Sequence, residues 1–490
     1  MQYYRRSLSK SDTVMKACAC RVRTKSRPKA VLVLLCFLTI ALPFSTVSLA
    51  QSSSSQSLKL ESAVDLALTN YPSIRAAKAQ AGAASANIDL AHTAYLPRVD
   101  LLFQENRATR NNVFGALLPQ SVIPSISGPV LADQSYASTF GSAGGVLVSW
   151  EPFDFGARKA QVDVARSIAK QANANVNVTT LDIATSAADA FLALLSAQEA
   201  VRVAEANVSR AQVFADSVHV LVVNGLRAGA DAARADTELS VARNQLNRAK
   251  QLSDISRAAL AQALGIPGEA VTIEAGPLLD LPSDTSMPPP EFERHPLAIV
   301  QQYAIEVVRA RERVLARSYF PKFNFQSAFS GRGTGALTNG RFNGGASGLW
   351  PNTGNYAVGL TVTFPSFDIF SIRARRRIET GNEAVERARF DQVVQTLKGQ
   401  YTQAQALVDG ALRIARETPN QLKSAQEAEK LTQERYKFGL TTVTDVADAQ
   451  RLLAQAEIDA AVARLNVWRG LLVAARLRGD LQPFLDRVKH

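Results

Sequence analysis

The sequence predicts a mainly α-helical protein that carries four β-strands of membrane length, built from one plan used twice. Three observations lead there. First, markers recur in pairs: Tyr95-Leu96-Pro97 as Tyr319-Phe320-Pro321, Phe153-Asp154 as Phe367-Asp368, and Gly225-Leu226 with Asp231 as Gly439-Leu440 with Asp445. The first pair is offset by 224 positions and the others by 214, so a single ten-residue shortening reconciles all three. Second, Phe323, Phe325 and Phe329 alternate with Asn324, Gln326, Ala328 and Ser330, and Tyr356, Val358, Leu360 and Val362 alternate with small or polar residues. Third, no proline occurs between Pro152 and Pro267, leaving only glycines to interrupt helix.

In chain order, residues 1–50 read as a secretory signal peptide, with nine Lys or Arg, an apolar run from Val31 to Leu42, and Ser48-Leu49-Ala50 as a small-x-small cleavage site. The run is too short to span a bilayer. Leu35 precedes Cys36 where a lipoprotein signal needs a small residue, which argues against lipidation. The first repeat, residues 51–265, reads as a helix over 58–94 broken at Tyr71-Pro72, strands near 98–106 and 138–150 flanking a loop over 107–134, and a helical hairpin over 157–264. A proline-rich linker over 266–290 follows. The second repeat, residues 291–480, reads as a helix with His295-Pro296 at the matching place, strands near 322–330 and 356–364 around a loop over 331–355, and a hairpin over 368–478. Residues 481–490 are left as a C-terminal tail. Leu181, Ala184, Ala188, Phe191 and Leu195 keep the 3-4 spacing of a coiled-coil seam, matched later by Ile458, Val462, Leu465, Trp468 and Leu472. A helix from 157 to 223 would reach about 100 Å, and Pro419 is expected to kink its long counterpart.

Composition narrows the function. All three cysteines, Cys18, Cys20 and Cys36, fall in the leader, so disulfides and thiolate metal sites are excluded from the processed chain. Without residues 1–50 there remain 46 Lys and Arg against 42 Asp and Glu, and the formal charge drops from +12 to +4. The basic balance is an export feature and gives nucleic acid no footing. An enzyme needs convergent groups, yet His92, His219, His295 and His490 lie far apart, and Gly331-Arg332-Gly333-Thr334-Gly335 lacks the strand-to-helix setting of a phosphate loop. No cofactor or metal is implied.

Four strands cannot close a barrel, and open edges in lipid leave backbone groups unsatisfied. Other copies must complete it. Two copies give eight strands, which side chains fill; three give twelve, which leave a lumen, and the small, polar inner faces favour the trimer.

The duplication, the Tyr-x-Pro leads into strands, the Phe-Asp turns, and Tyr436-Lys437-Phe438-Gly439-Leu440 followed by Asp445-Val446 and Asp448-Ala449 resemble the TolC family of outer membrane factors over residues 58–480. The resemblance implies a Gram-negative outer membrane protein with a long periplasmic extension. It further implies a trimeric channel-tunnel that is the exit duct of an efflux pump or type I secretion system and docks a periplasmic adaptor and an inner-membrane transporter. It also implies that Asp445 and Asp448 ring the inner aperture, that Tyr436 and Asp231 share a gate hydrogen bond, and that the tips Gly225-Leu226 and Gly439-Leu440 contact the adaptor. Residue types alone leave rival roles open. The glycines suit helix C-caps, and Thr442 could cap a helix in which Asp445 is the third residue. Family members carry arginine where this chain has Thr441, so that latch is missing or has moved to Arg227 or Arg234. A non-transporting coiled-coil envelope protein is the rival reading, and it leaves the four strands without a purpose.

Overall fold

The structure, a computed structural model, describes residues 57–489 except 110–111, 117–124, 131–135, 287, 336, 338–340 and 342. The leader expected over residues 1–50, with Cys36, lies outside the described residues.

Helices α1 (Leu60–Asn70) and α2 (Pro72–Thr93) meet at Tyr71. Pro72 opens α2 where a missing N–H costs nothing, and the Tyr71 N–H closes α1 by donating to the Ala67 carbonyl at 2.9 Å. The long hairpins are α3 (Ala157–Val223) with α4 (Gly229–Ala263), and α6 (Asp368–Lys437) with α7 (Val443–Arg478); α5 (Pro296–Arg317) is the counterpart of α2. With 67 and 70 residues, α3 and α6 are each about 100 Å long.

Helix α6 runs through Pro419. That residue has no N–H for the Ala415 carbonyl four positions back. The buried Thr418 hydroxyl donates to that carbonyl instead, at 3.3 Å.

Every member of the predicted first seam, Leu181 to Leu195, is buried. In α7 the pattern differs: Leu465, Trp468 and Leu472 are buried, Ile458 and Val462 are half-buried, and Ala463, Val467, Leu471 and Ala475 are buried as well. The helix is enclosed on several sides because it packs on α6, on α3 and on α8 (Gln482–Lys489), which forms in the segment read as a tail. There Phe484 meets the Trp468 ring edge-on at 6.2 Å. The linker is strapped down too, since Trp468 Nε1 donates to the Asp280 carbonyl at 2.9 Å and Tyr401 donates to the Pro288 carbonyl at 3.0 Å.

Strands β1 (Arg98–Thr109), β2 (Asn112–Ala116), β3 (Ser125–Val130) and β4 (Ser138–Trp150) precede α3; β5 (Lys322–Thr334) and β6 (Thr353–Thr363) precede α6. β2 and β3 pair as a separate hairpin inside the segment expected to be loop. The other four make one antiparallel sheet in the order β1-β4-β5-β6. Its register sorts residues by face, because directly opposed residues share one. Leu101, Val146, Phe329 and Tyr356 form one continuous row; Asp100, Leu147, Ala328 and Ala357 form the adjacent row on the other face. One face is therefore apolar and the other mostly small or polar. Leu101, Phe329 and Tyr356 are 79%, 68% and 83% exposed, too much apolar surface for a sheet bathed in water.

Helices repeat the strand order: α2 packs on α3, α3 on α5, and α5 on α6. The recurring markers meet at the junction. The Asp154 carboxylate accepts from the Gly156 N–H at 3.1 Å, from the Arg158 N–H at 2.6 Å and from Arg158 Nε at 2.9 Å. Buried Arg158 in turn lies over the Tyr95 ring at 4.8 Å and donates to the Ala94 carbonyl at 3.3 Å. Burial pushes the Asp154 carboxyl up, but the Arg158 and Gly156 hydrogen bonds outweigh it and leave it below the usual carboxylate range.

Candidate functional site

Each hairpin turn lies at the far end of a helix of 67 or 70 residues that starts beside the sheet, and each ends its helix in the same way. Gly225 and Gly439 have φ of 71° and 74°. The N–H of Leu226 donates to the Leu221 carbonyl and that of Gly225 to the Val222 carbonyl, both at 2.9 Å. At the second tip Leu440 donates to Arg435 at 2.9 Å and Gly439 to Tyr436 at 3.0 Å. Both are Schellman caps, which need a left-handed residue and so explain the glycines in full. The leucines are a different matter. Leu226 and Leu440 are 69% and 66% exposed.

Behind the second turn, Thr442 and Asp445 make a reciprocal capping box. The Thr442 hydroxyl accepts from the Asp445 N–H at 3.3 Å, and Asp445 Oδ2 accepts from the Thr442 N–H at 2.9 Å. Thr441 adds a third bond, its hydroxyl donating to the same oxygen at 2.5 Å. These bonds, that from Thr441 foremost, bring the Asp445 carboxyl down to about 2. Asp448, one turn on, is paired with Arg451. Within one protomer both carboxylates are thus exposed and on the same helix face, each with a local partner.

Tyr436, the last inward-facing aromatic of α6, joins the two hairpins. Its ring is buried edge-on to Phe214 at 5.3 Å, in a cluster with Val218, Ala235, Leu239, Val443 and Val446. The expected hydrogen bond from Tyr436 to Asp231 is not formed: the phenol oxygen is buried and has no hydrogen-bond partner among the described residues. Arg227, from the first turn, takes hold of Tyr436 instead. Its guanidinium lies 4.6 Å from the ring centroid, and Nη2 donates to the Tyr436 carbonyl at 3.0 Å. Burial pushes the Tyr436 phenol up; nearby Arg227 lowers it and nearby Asp231 raises it. Of the two alternative positions for the missing arginine, it is therefore Arg227 that crosses between the hairpins. Sequence spacing could not rank it, because residues 227 and 436 meet only through tertiary packing.

Residues 63–266 and 294–471 match the outer membrane efflux protein family, one segment in each half. The chain belongs to that family. Among its relatives, the pyoverdine export outer membrane protein OpmQ of Pseudomonas aeruginosa is 23% identical over 423 residues, 85% of this chain and 84% of that one. Among solved structures, the open state of the MtrE outer membrane channel of Neisseria gonorrhoeae aligns with a TM-score of 0.66 at 18% identity, over 86% of this chain and 89% of that one. The CmeC outer membrane channel of Campylobacter jejuni gives 0.67 at 15% identity, over 86% and 85%. As a family member the chain is an outer membrane efflux channel with a periplasmic helical tunnel, among proteins that are channels rather than enzymes.

Proposed function

We propose that three copies assemble into one duct, with twelve strands closing an outer membrane barrel and the helices continuing it through the periplasm. One observation carries the reading: sheet and helix layer have matching orders, and among the described residues neither order continues past its edge within the protomer. β1 and β6 are the sheet edges, and α2 and α6 are the helix edges. The edge helices are suited to close neighbours. Ala76, Ala79, Ala83 and Ala86 form an exposed 3-4-3 stripe on α2. On α6, Gly381 and Gly399 are exposed and Gly410 is half-buried, and among the described residues a methyl group at any of them would meet nothing within 4 Å.

In the trimer Asp445 and Asp448 gather as six carboxylates around the inner aperture, a ring that attracts cations and excludes anions. The Arg227–Tyr436 contact, with Asp231 beside it, holds the hairpin ends together in the closed state. Leu226 and Leu440, presented by Gly225 and Gly439, dock the periplasmic adaptor, which links the duct to an inner-membrane transporter in an efflux pump or type I secretion system. Catalysis has no part in this reading. The test is extraction and current: a heat-modifiable trimer that needs detergent, comes from the outer membrane fraction and conducts in planar bilayers is expected. A soluble periplasmic rod without current would return the coiled-coil scaffold.

A further inference from the structure

Helices α3 and α6 follow β4 and β6 and so begin at the membrane end of the fold. Each Cα–Cβ bond in a helix tilts toward its N-terminus, so side chains in the first turns of α3 and α6 lean back toward the sheet, whereas those ending α5 lean away. Four cations stand in those turns: Lys159 in α3, and Arg373, Arg375 and Arg377 in α6. All four are exposed, and none has an ion-pair partner among the described residues. Their neighbour Arg376 is turned inward onto Glu312 at 3.2 Å. The duplication repeats the placement, because the offset of 214 that relates Phe153-Asp154 to Phe367-Asp368 also relates Lys159 to Arg373.

Between these cations and the sheet lies exposed aromatic surface. Phe367 and Phe370 are 88% and 70% exposed, and Phe364 continues the apolar face of β6. Along α6, Arg373 stands about 8 Å and Arg377 about 14 Å from the first residue. The headgroup layer is about 5–8 Å deep beyond the hydrocarbon. A long stem leaning toward the sheet spans the difference and places a guanidinium among phosphates while the rings sit in acyl chains.

We propose that Lys159, Arg373 and Arg377, the last two one turn apart on the α6 face that also carries Phe370, bind anionic phospholipid headgroups of the periplasmic leaflet; Arg375, about 200° round the helix from Arg373, is on the other face and takes no part. Arginine grips a phosphodiester with two parallel donors. Zwitterionic lipids bring a competing cation to the same place, so the site selects net negative headgroups. The proposal rests on the outer membrane placement given above.

The full chain would be reconstituted in phosphatidylcholine nanodiscs with and without phosphatidylglycerol, and the lipids it retains counted by native mass spectrometry. A cation close to an anionic surface contributes about a fivefold preference. Hence R373Q should lower the retention of phosphatidylglycerol over phosphatidylcholine about fivefold, and K159Q/R373Q/R377Q should abolish it, with the melting temperature in pure phosphatidylcholine unchanged. A wild type without preference, or a triple variant that keeps it, overturns the proposal. Stronger retention of lipid A than of phosphatidylglycerol overturns the leaflet assignment. A triple variant whose only change is the ion selectivity of the pore places the cations in the lumen and overturns the site. If the wild type conducts in phosphatidylcholine yet shows no lipid preference, the lipid site alone falls; if it does not insert, the duct reading falls with it.

Discussion

At Asp445 a structural role meets the electrostatic one proposed above, and the two need different things from the side chain. A helix cap needs an acceptor, whereas an aperture ring needs a charge. Its folded-state pKa lies below the ordinary carboxylate value, so its capping contribution is complete above that value and is lost as pH falls toward about 2. Within the protomer Asp445 therefore keeps its charge at mildly acidic pH. Asp445→Ala with Asp448→Ala is expected to raise single-channel conductance and weaken block by multivalent cations, and to lower the melting temperature. Asp445→Asn with Asp448→Asn keeps an acceptor at the cap and should change conductance and block alone. Unchanged conductance and block in both pairs would remove the gate assignment. The tips separate in the same way. Gly225→Ala or Gly439→Ala forces a Cβ into left-handed backbone and should cost about 1 kcal/mol. Leu226→Ala with Leu440→Ala should leave thermal stability unchanged and weaken adaptor capture; full capture would reduce these leucines to turn residues.

Elements differ in how much of them the sequence carries. Alternation at period two and a proline-free run of more than a hundred residues are local signals, and they made the four sheet strands and both hairpins legible. The Thr442–Asp445 box was readable for the same reason, three positions apart in one turn. What escaped depends on packing between distant segments. Helix α8 is only eight residues long and is held by Trp468, and Arg227 reaches Tyr436 across 209 positions. Pro419 is an intermediate case, since its cost could be read but not its compensation. Thr418→Val should leave the Ala415 carbonyl buried without a donor, at about 1–3 kcal/mol. Thr418→Val with Pro419→Ala restores a backbone donor and should recover the loss in a denaturation series. His295 shows a second non-local device, with Nδ1 capping α5 by accepting from the Leu297 N–H at 3.2 Å and Nε2 donating to the Arg476 carbonyl at 3.1 Å. Burial, aided by the Arg476 charge, pushes its pKa down against the Arg476 hydrogen bond and Asp182. Its contribution is complete above the unfolded value of about 6.5 and falls as pH drops below it. The melting temperature should therefore decline more steeply between neutral pH and pH about 5 in wild type than in His295→Asn, where Asn can still cap. Parallel declines would show that His295 does not titrate on unfolding.

For the whole molecule, the glycines of α6 carry information that no contact within the protomer explains. Glycine inside a helix costs roughly 1 kcal/mol relative to alanine, and α6 has three of them on one face. Gly381 and Gly399 are 18 residues apart, five whole turns, and Gly410 is 11 further on, about 20° round the helix. Among the described residues none has a neighbouring atom within 4 Å of where a Cβ would stand, so no packing there draws on their smallness. A helix of another copy brought close to that face would gain, because small residues let two backbones approach. The alanine stripe of α2, on the opposite edge of the helix layer, stands about 10–26 Å from the end of its helix next to β1, level with Gly381 at about 20 Å from the start of α6, and supplies a matching surface there. Gly381→Leu isolates this effect. In the single chain it should raise helix propensity and leave circular dichroism at or above the wild-type level, whereas in detergent the trimer should give way to monomer on native mass spectrometry. A variant that still assembles as a heat-modifiable trimer would mean that this face of α6 looks into the lumen or out to the periplasm, and the contact between copies would have to be sought on another face.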